Sequence, residues 1–249
     1  MKVAVFGRTD VGRARPGNED SFLMADLTDG CALRPPVAQE RKVGKCGVLL
    51  VVADGMGGMA AGEVASGMAT DVIYSHLLRR SAQDGAEPAR FGQRLQEALE
   101  TANGHIHDFA LAHPELRGMG TTATAVGLLG DSVHVAHVGD SRAYLVRDRR
   151  IRQLTQDQSL APGLERQVIL QALGPAMQVS VAMTRLQVQR EDTLVVCSDG
   201  LSSAVSSSEI AGVVSDEAEV SAACNRLVDL ANERGGLDNI TIILARVAR

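Results

Sequence analysis

Four aspartates stand where an apolar run meets a turn: Asp54 in LLVVADGMGG, Asp140 in VHVAHVGDSR, Asp199 in LVVCSDGLS and Asp238 in GLDNITIIL. A carboxylate at a strand end is held by buried backbone while its oxygens reach solvent. Several such carboxylates together make a hard-cation site of the Mg2+ or Mn2+ type. Without a thiolate or imidazole set, that site suits activation of water against a phosphate. One Asp-Gly step at a strand end is ordinary turn chemistry. Its recurrence at several apolar runs carries the metal reading.

The neighbours of these acids extend the chemistry. Glycines after Asp54 let the backbone approach a ligand, so the Gly55 carbonyl can join a coordination sphere. In RPGNEDSF, Glu19 and Asp20 can hold metal-bound waters, and Arg15 can fork onto two phosphate oxygens. Taken alone, that stretch reads equally well as a solvated loop. His134 and His137, three apart in an apolar strand, fall on opposite faces and read as structural or exposed. The arginines at 147, 149, 150 and 152 mark a hairpin tip, a solvated turn or a contact for an acidic partner.

The elements that must position these residues follow from periodicity. Gly47 to Ala53 is an unbroken apolar run, the mark of a strand buried on both faces. Short strands are predicted at Lys2 to Gly7 and Ser21 to Ala25. Residues 26–46 carry Pro35-Pro36 and no periodicity, so an exposed excursion is expected. Helices are predicted over Ala61 to Arg80, with Val64, Met68, Val72 and Leu77 on one side, and over Ala89 to Ala112, with Leu95, Leu99, Ile106 and Phe109. From Thr121, four strand-like runs separated by Gly130-Asp131, Gly139-Asp140 and Asp148-Arg149 predict an antiparallel meander. Thr155 to Ala176 is mixed, with a helical stretch at Glu165 to Leu173. Strands follow at Val179 to Leu186 and Thr193 to Cys197, helices at Ser208 to Val214 and Glu217 to Glu233, and a last strand at Asn239 to Val247. The result is one α+β domain over 1–249, with no linker or repeat.

Composition narrows the function. Hydrophobic residues are 45% of 249, enough for a substantial core, but aromatics are only 2%. Stacking on bases or sugars is therefore not the binding mode. A net charge of −5 lacks the footprint of a nucleic-acid binder. The four cysteines form no C-x-x-C pair, and buried reduced thiols are expected. No run approaches the length of a membrane span, and the start has no signal-peptide stretch, so a cytoplasmic protein is expected.

Taken in order, RPGNED at 15–20, VVADGMGG at 51–58, GTTATA at 120–125, VGDSRAYL at 138–145, LTQDQS at 154–159, CSDGL at 197–201 and DNITII at 238–243 resemble the protein phosphatase 2C family of metal-dependent Ser/Thr phosphatases, bacterial type. The resemblance spans nearly the whole chain. It implies a four-layer αββα sandwich of two antiparallel sheets flanked by helices. It implies two Mn2+ or Mg2+ ions, with Asp54 bridging them, the Gly55 carbonyl on one, and Asp199 and Asp238 completing the other. Glu19 and Asp20 would act through coordinated waters, Arg15 would bind the substrate phosphate, and Asp140 with Asp199 would hold a third ion. Two-metal logic makes water the attacking group, with no phospho-enzyme. Phosphorylated proteins would be the substrates, a Ser/Thr kinase the natural opponent, and a monomer the expected state.

Three departures from the family pattern stand out. Met56 occupies a position where animal and plant members carry His, Gln158 stands where His is usual, and the flap-like segment 155–176 is short. Two other functions compete: a non-catalytic phosphoprotein-binding or regulatory module on the same fold, and a hydrolase of small phosphate esters. The intact Asp54, Asp199 and Asp238 argue against the first; the second stays open.

Overall fold

The computed structural model describes residues 1–33, 39–83, 87–160 and 169–248. The strands are β1 (Lys2–Asp10), β2 (Asp20–Asp26), β3 (Cys31–Ala32), β4 (Gln39–Lys42), β5 (Val48–Met56), β6 (Gly120–Thr121), β7 (Ala123–Leu129), β8 (Ser132–Val138), β9 (Arg142–Arg147), β10 (Arg150–Gln153), β11 (Ala182–Gln187), β12 (Thr193–Cys197) and β13 (Ile240–Val247). The helices are α1 (Met59–Gln83), α2 (Phe91–Ala112), α3 (Asp199–Ser202), α4 (Ser207–Asp216) and α5 (Val220–Glu233). Among the described residues the strands form two antiparallel sheets. One runs β10-β9-β12-β13-β1-β4, the other β11-β8-β7-β5-β2-β3, with β6 paired to the end of β5.

Side-chain alternation explains the four layers. Successive residues of a strand point to opposite faces. In β5, Val48, Leu50 and Val52 enter the core between the sheets, while Leu49, Val51 and Ala53 pack under α1 and α2. In β13, Ile243, Ala245 and Val247 take the first role; Ile240, Ile242 and Leu244 pack against α4 and α5. Three apolar layers thus hold helices, sheet, sheet and helices together, the expected αββα sandwich. α4 begins where Ser206 and Glu209 cap each other reciprocally.

Several expectations change on contact with the tertiary structure. The four runs from Thr121 are not one meander. β7 and β8 form a hairpin in one sheet, β9 and β10 a hairpin in the other, and the chain crosses between sheets at 139–141. Gly139 makes the crossing at φ +105°, and a Cβ there would lie 2.6 Å from the Thr122 side chain. Gln158 pins it: its side-chain oxygen accepts from the Gly139 N–H at 2.9 Å, and its own N–H donates to the Gly139 carbonyl at 2.7 Å.

The excursion at 26–46 supplies edge strands to both sheets, with β3 on β2 and β4 on β1, and buries Leu27, Leu33 and Val43. Pro35-Pro36 lie outside the described residues. The helix expected at 165–173 is absent from its described part: Ile169 and Leu173 make isolated bridges. Residues 161–168 lie outside the described set. On α1 the fully buried stripe is Ala61, Ala65, Ala69, Ile73 and Leu77, with Val64, Met68 and Val72 half-buried. Small residues let a helix axis come close to a sheet, so the larger side chains of that helix take its flank.

Both histidines of β8 are buried, on opposite faces as expected. His134 sits edge-on to Phe91 of α2, while His137 faces the other sheet and bonds Thr124 at 2.9 Å. Cys46, Cys197 and Cys224 are buried thiols, but Cys31 is exposed. Arg147 and Arg149 are not simply solvated: they pair with Asp192 and Asp216. Among the described residues, no helix is long and apolar enough to cross a membrane.

Candidate metal centre

The same alternation that builds the core delivers the acids. Asp54 continues the inward row Val48-Leu50-Val52, and Asp20 continues the inward row Met24-Phe22 of β2. Antiparallel pairing sets Asp20 directly opposite Asp54. Asp54 lies within β5 rather than beyond it, because the strand runs on to Met56 and pairs with β6. On the other sheet β12 and β13 run oppositely, Cys197 facing Ile242. The end of β12, followed by Asp199 at the start of α3, and the start of β13, preceded by Asp238, therefore meet at one rim. Gly200 permits this, since a Cβ there would fall 2.0 Å from the Asn239 carbonyl oxygen and 3.3 Å from the Asp238 Cβ.

The electrostatics record the convergence. Burial, then the charges of Asp20, Asp199, Asp238 and Asp140, push the Asp54 carboxyl well above the ordinary carboxylate range. Burial pushes Asp20 up to about 7, opposed by hydrogen bonds from Thr241 and Ser198 and aided by Asp199 and Asp238. Asp199 is raised by burial and by Asp238, and it shares a hydrogen bond with Asp54. Glu19 is raised by burial, while Arg15 pulls it down. Its carboxylate lies against the first turn of α1: a Cβ on Gly62 would sit 1.9 Å from the Glu19 Oε2 and would force that carboxylate to move. Arg15 closes the rim, its Nη2 donating to Asp238 Oδ2 at 2.6 Å. Asp140, at the crossing between the sheets, is 2% exposed and lies close enough to act on Asp54.

These residues fit a hard divalent cation. Like charges forced together in a buried setting are costly unless a counter-charge binds. Asp20 Oδ1 is buried with no hydrogen-bond partner in the protein. The donors are oxygens throughout. Among the described residues no three His, Cys, Asp or Glu side chains close around one point as a cage. Short of a complete protein cage, a Mg2+ or Mn2+ ion here would keep several of its waters.

Sequence reasoning quoted the motifs but missed the residues that set the acids in place. Ser198 is fully buried; its hydroxyl donates to Asp20 Oδ2 at 2.7 Å and accepts from the Thr241 N–H at 3.0 Å. Asn239 accepts from the Glu19 N–H at 2.8 Å and donates to the carbonyls of Val11 and Gly17, tying down the loop that carries Arg15. Thr122 accepts from the Asp54 N–H at 3.0 Å and bonds Ser141, beside Asp140, at 2.6 Å. The available signal was polar residues interrupting apolar strands next to each acid.

A two-sheet sandwich with carboxylates from both sheets gathered at one rim fits an enzyme that uses a hard divalent cation. Comparison with known proteins carries this further. The Protein phosphatase 2C family profile matches residues 38–239. The Listeria welshimeri serine/threonine phosphatase stp is 33% identical over 95% of this chain and 93% of its own. The Mycobacterium tuberculosis phosphatase PstP is 35% identical over 96% of this chain, which spans 44% of PstP's length. Among solved structures, the S. agalactiae serine/threonine phosphatase superposes with a TM-score of 0.85 at 32% identity, over 98% of this chain and 99% of its own. The PstP catalytic domain in complex with two manganese ions superposes at 0.79 with 31% identity, over the whole of both chains. The chain belongs to the protein phosphatase 2C family and is a metal-dependent serine/threonine protein phosphatase of the bacterial type.

Proposed function

We propose that residues 1–249 form one phosphatase domain that removes phosphate from phosphoserine and phosphothreonine of proteins. In this reading Asp54, the Gly55 carbonyl, Asp199 and Asp238 hold two Mn2+ or Mg2+ ions, and Glu19 and Asp20 act through waters. Asp140 with Asp199 takes a third. The convergence of Asp20 and Asp54 from one sheet with Asp199 and Asp238 from the other is the observation that supports it. Bound there, the ions supply an activated water and neutralise phosphoryl oxygens.

The chain's own residues do the rest. Arg15 presents a planar fork of donors to two equatorial oxygens of the phosphate and orients it. The buried bonds of Ser198 and Thr122 keep Asp20 and Asp54 fixed while charge develops, so little reorganisation is needed. Met56 has no proton to give, so the departing serine or threonine oxygen takes its proton from water, either held at the cations or from bulk solvent. No side-chain nucleophile is involved. An opposing Ser/Thr kinase, cytoplasmic residence and a monomeric state complete the proposal.

The test is turnover of a phosphothreonine peptide and of an aryl phosphate, with Mn2+, with Mg2+ and with chelator. Activity is expected with Mn2+, none with chelator, and a loss of orders of magnitude in Asp199→Asn. Clean Mn2+-loaded protein that turns over neither substrate would sink the enzymatic reading; turnover of the aryl phosphate alone would redirect it to small esters.

A further inference from the structure

We infer that Asn103, on the outer helix layer, is a positioning residue for the metal centre. It acts through the backbone of residues 173–177 and through β6. The inference rests on the reading of Asp54 and Gly55 as cation ligands.

Asn103 lies on the sheet-facing side of α2 and is 2% exposed. It spends its amide on one target. Its Oδ1 accepts from the Gly174 N–H at 2.8 Å, and its Nδ2 donates to the carbonyls of Ala176 at 3.0 Å and Met177 at 3.1 Å. One turn further along, His107 Nδ1 bonds the Gly174 carbonyl at 2.9 Å. The segment so held is neither helix nor strand. It is also seated without slack: Gly174 adopts φ +104°, and a Cβ there would lie 2.4 Å from Ile106 Cγ2.

The other side of this segment leads to the acids. Leu173 exchanges two backbone hydrogen bonds with Thr121, at 2.8 and 3.0 Å. Thr121 belongs to β6, whose opposite edge pairs Thr121 with Gly55 and Gly120 with Met56. The Thr121 hydroxyl donates to the Asp54 carbonyl at 2.9 Å, and the Thr122 N–H donates to the same oxygen at 2.9 Å. β6 is therefore a two-residue strand gripped between the ligand-bearing end of β5 and the segment that Asn103 holds. A strand that short has no register of its own, so its placement depends on both flanks. Residues that orient ligands without touching the metal commonly govern affinity as strongly as ligand contacts do. Thr121 and Thr122 stand in that relation to Asp54, and Asn103 holds the segment against which Thr121 is set.

The experiment compares full-length Asn103→Ala and Asn103→Asp with the wild type and with Leu99→Ala, a packing loss on the same helix. Mn2+ affinity is read by isothermal titration, folding by circular dichroism and urea midpoint, and kcat and KM by phosphopeptide turnover. Asn103→Ala is expected to bind Mn2+ about tenfold more weakly, with kcat lowered and KM unchanged. Asn103→Asp, which keeps the acceptor for Gly174 but sets a buried carboxylate against two carbonyls, is expected to bind Mn2+ at least as weakly as Asn103→Ala. Leu99→Ala is expected to lower the urea midpoint while keeping wild-type Mn2+ affinity. A folded Asn103→Ala or Asn103→Asp with wild-type affinity and kcat overturns the inference. Equal weakening by Leu99→Ala overturns it too, since general loosening would then be the cause. A wild type that binds no Mn2+ sinks the reading of the ligands themselves, an outcome distinct from both.

Discussion

At the scale of single residues, the rim separates charge that must be neutralised from charge that is already paired. Arg15 is half-exposed and bonded to Asp238, so in the proposed site its removal would take a donor from the substrate and a competitor from the cation. A charge-assisted hydrogen bond contributes about 1.5–3 kcal/mol. Arg15→Ala is accordingly expected to raise KM for a phosphopeptide by about tenfold or more without weakening Mn2+ binding. Weaker Mn2+ binding with an unchanged KM would remove Arg15 from substrate recognition.

A second prediction at this scale concerns His137, which the chemistry does not use. Burial pushes its ring from 6.5 down to about 4. The unfolded chain therefore takes up a proton below 6.5 that the folded protein resists. Stability from this group is present above pH 6.5 and is lost as pH falls through 6.5 towards 4, by roughly 3 kcal/mol over the window. His137→Gln should show a flatter stability curve between pH 4 and 6.5 in urea titrations. Curves that stay parallel to the wild type would show that the ring is not buried neutral.

Elements owe their spacing to small residues. Gly127, on the helix-facing side of β7, lies under the Phe91 ring at the start of α2; a Cβ there would fall 2.2 Å from the ring edge. Glycine inside a strand often marks such a close approach. Gly127→Ala forces the ring and helix to shift, at about 1–3 kcal/mol. A lower urea midpoint is expected, with kcat of the Mn2+-loaded enzyme retained, because this contact lies at the start of α2, about three turns from Asn103. An unchanged midpoint would mean that α2 can slide, against the tight seating seen here. Sequence periodicity located both long helices and every strand of five residues or more, because each shows a buried face or an unbroken apolar run, and it missed the short β3, β4 and β6. It mis-assigned the buried side of α1, since hydrophobicity ranks Val64 and Met68 above Ala65 and Ala69, while the distance between helix and sheet selects the smaller side chains.

For the whole molecule, the consequence of the rim is that neither sheet owns the site. Asp20 and Asp54 come from one, Asp199 and Asp238 from the other. A cation bound by both links their folding, and mass action adds about 2.7 kcal/mol at a concentration 100 times the dissociation constant. Unfolding should remain one transition that moves upward as Mn2+ is raised, followed by fluorescence-free probes such as circular dichroism and calorimetry. Two transitions, with only one responding to Mn2+, would break both the shared site and the one-domain proposal.

By itself the sequence determined the order and type of the long elements, the acids at strand ends, the glycines that let backbone approach them, and the family motifs. Those are local properties, written in neighbouring residues and in periods of two and 3.6. Only the tertiary structure decided which sheet each strand joins, with β8 and β9 parting at Gly139. It also decided that Ser198, Asn239 and Thr122 brace the acids, and that Asn103 reaches the centre from another layer. Such bonds join residues as much as 228 positions apart, as between Val11 and Asn239, and no local pattern encodes a partner at that distance.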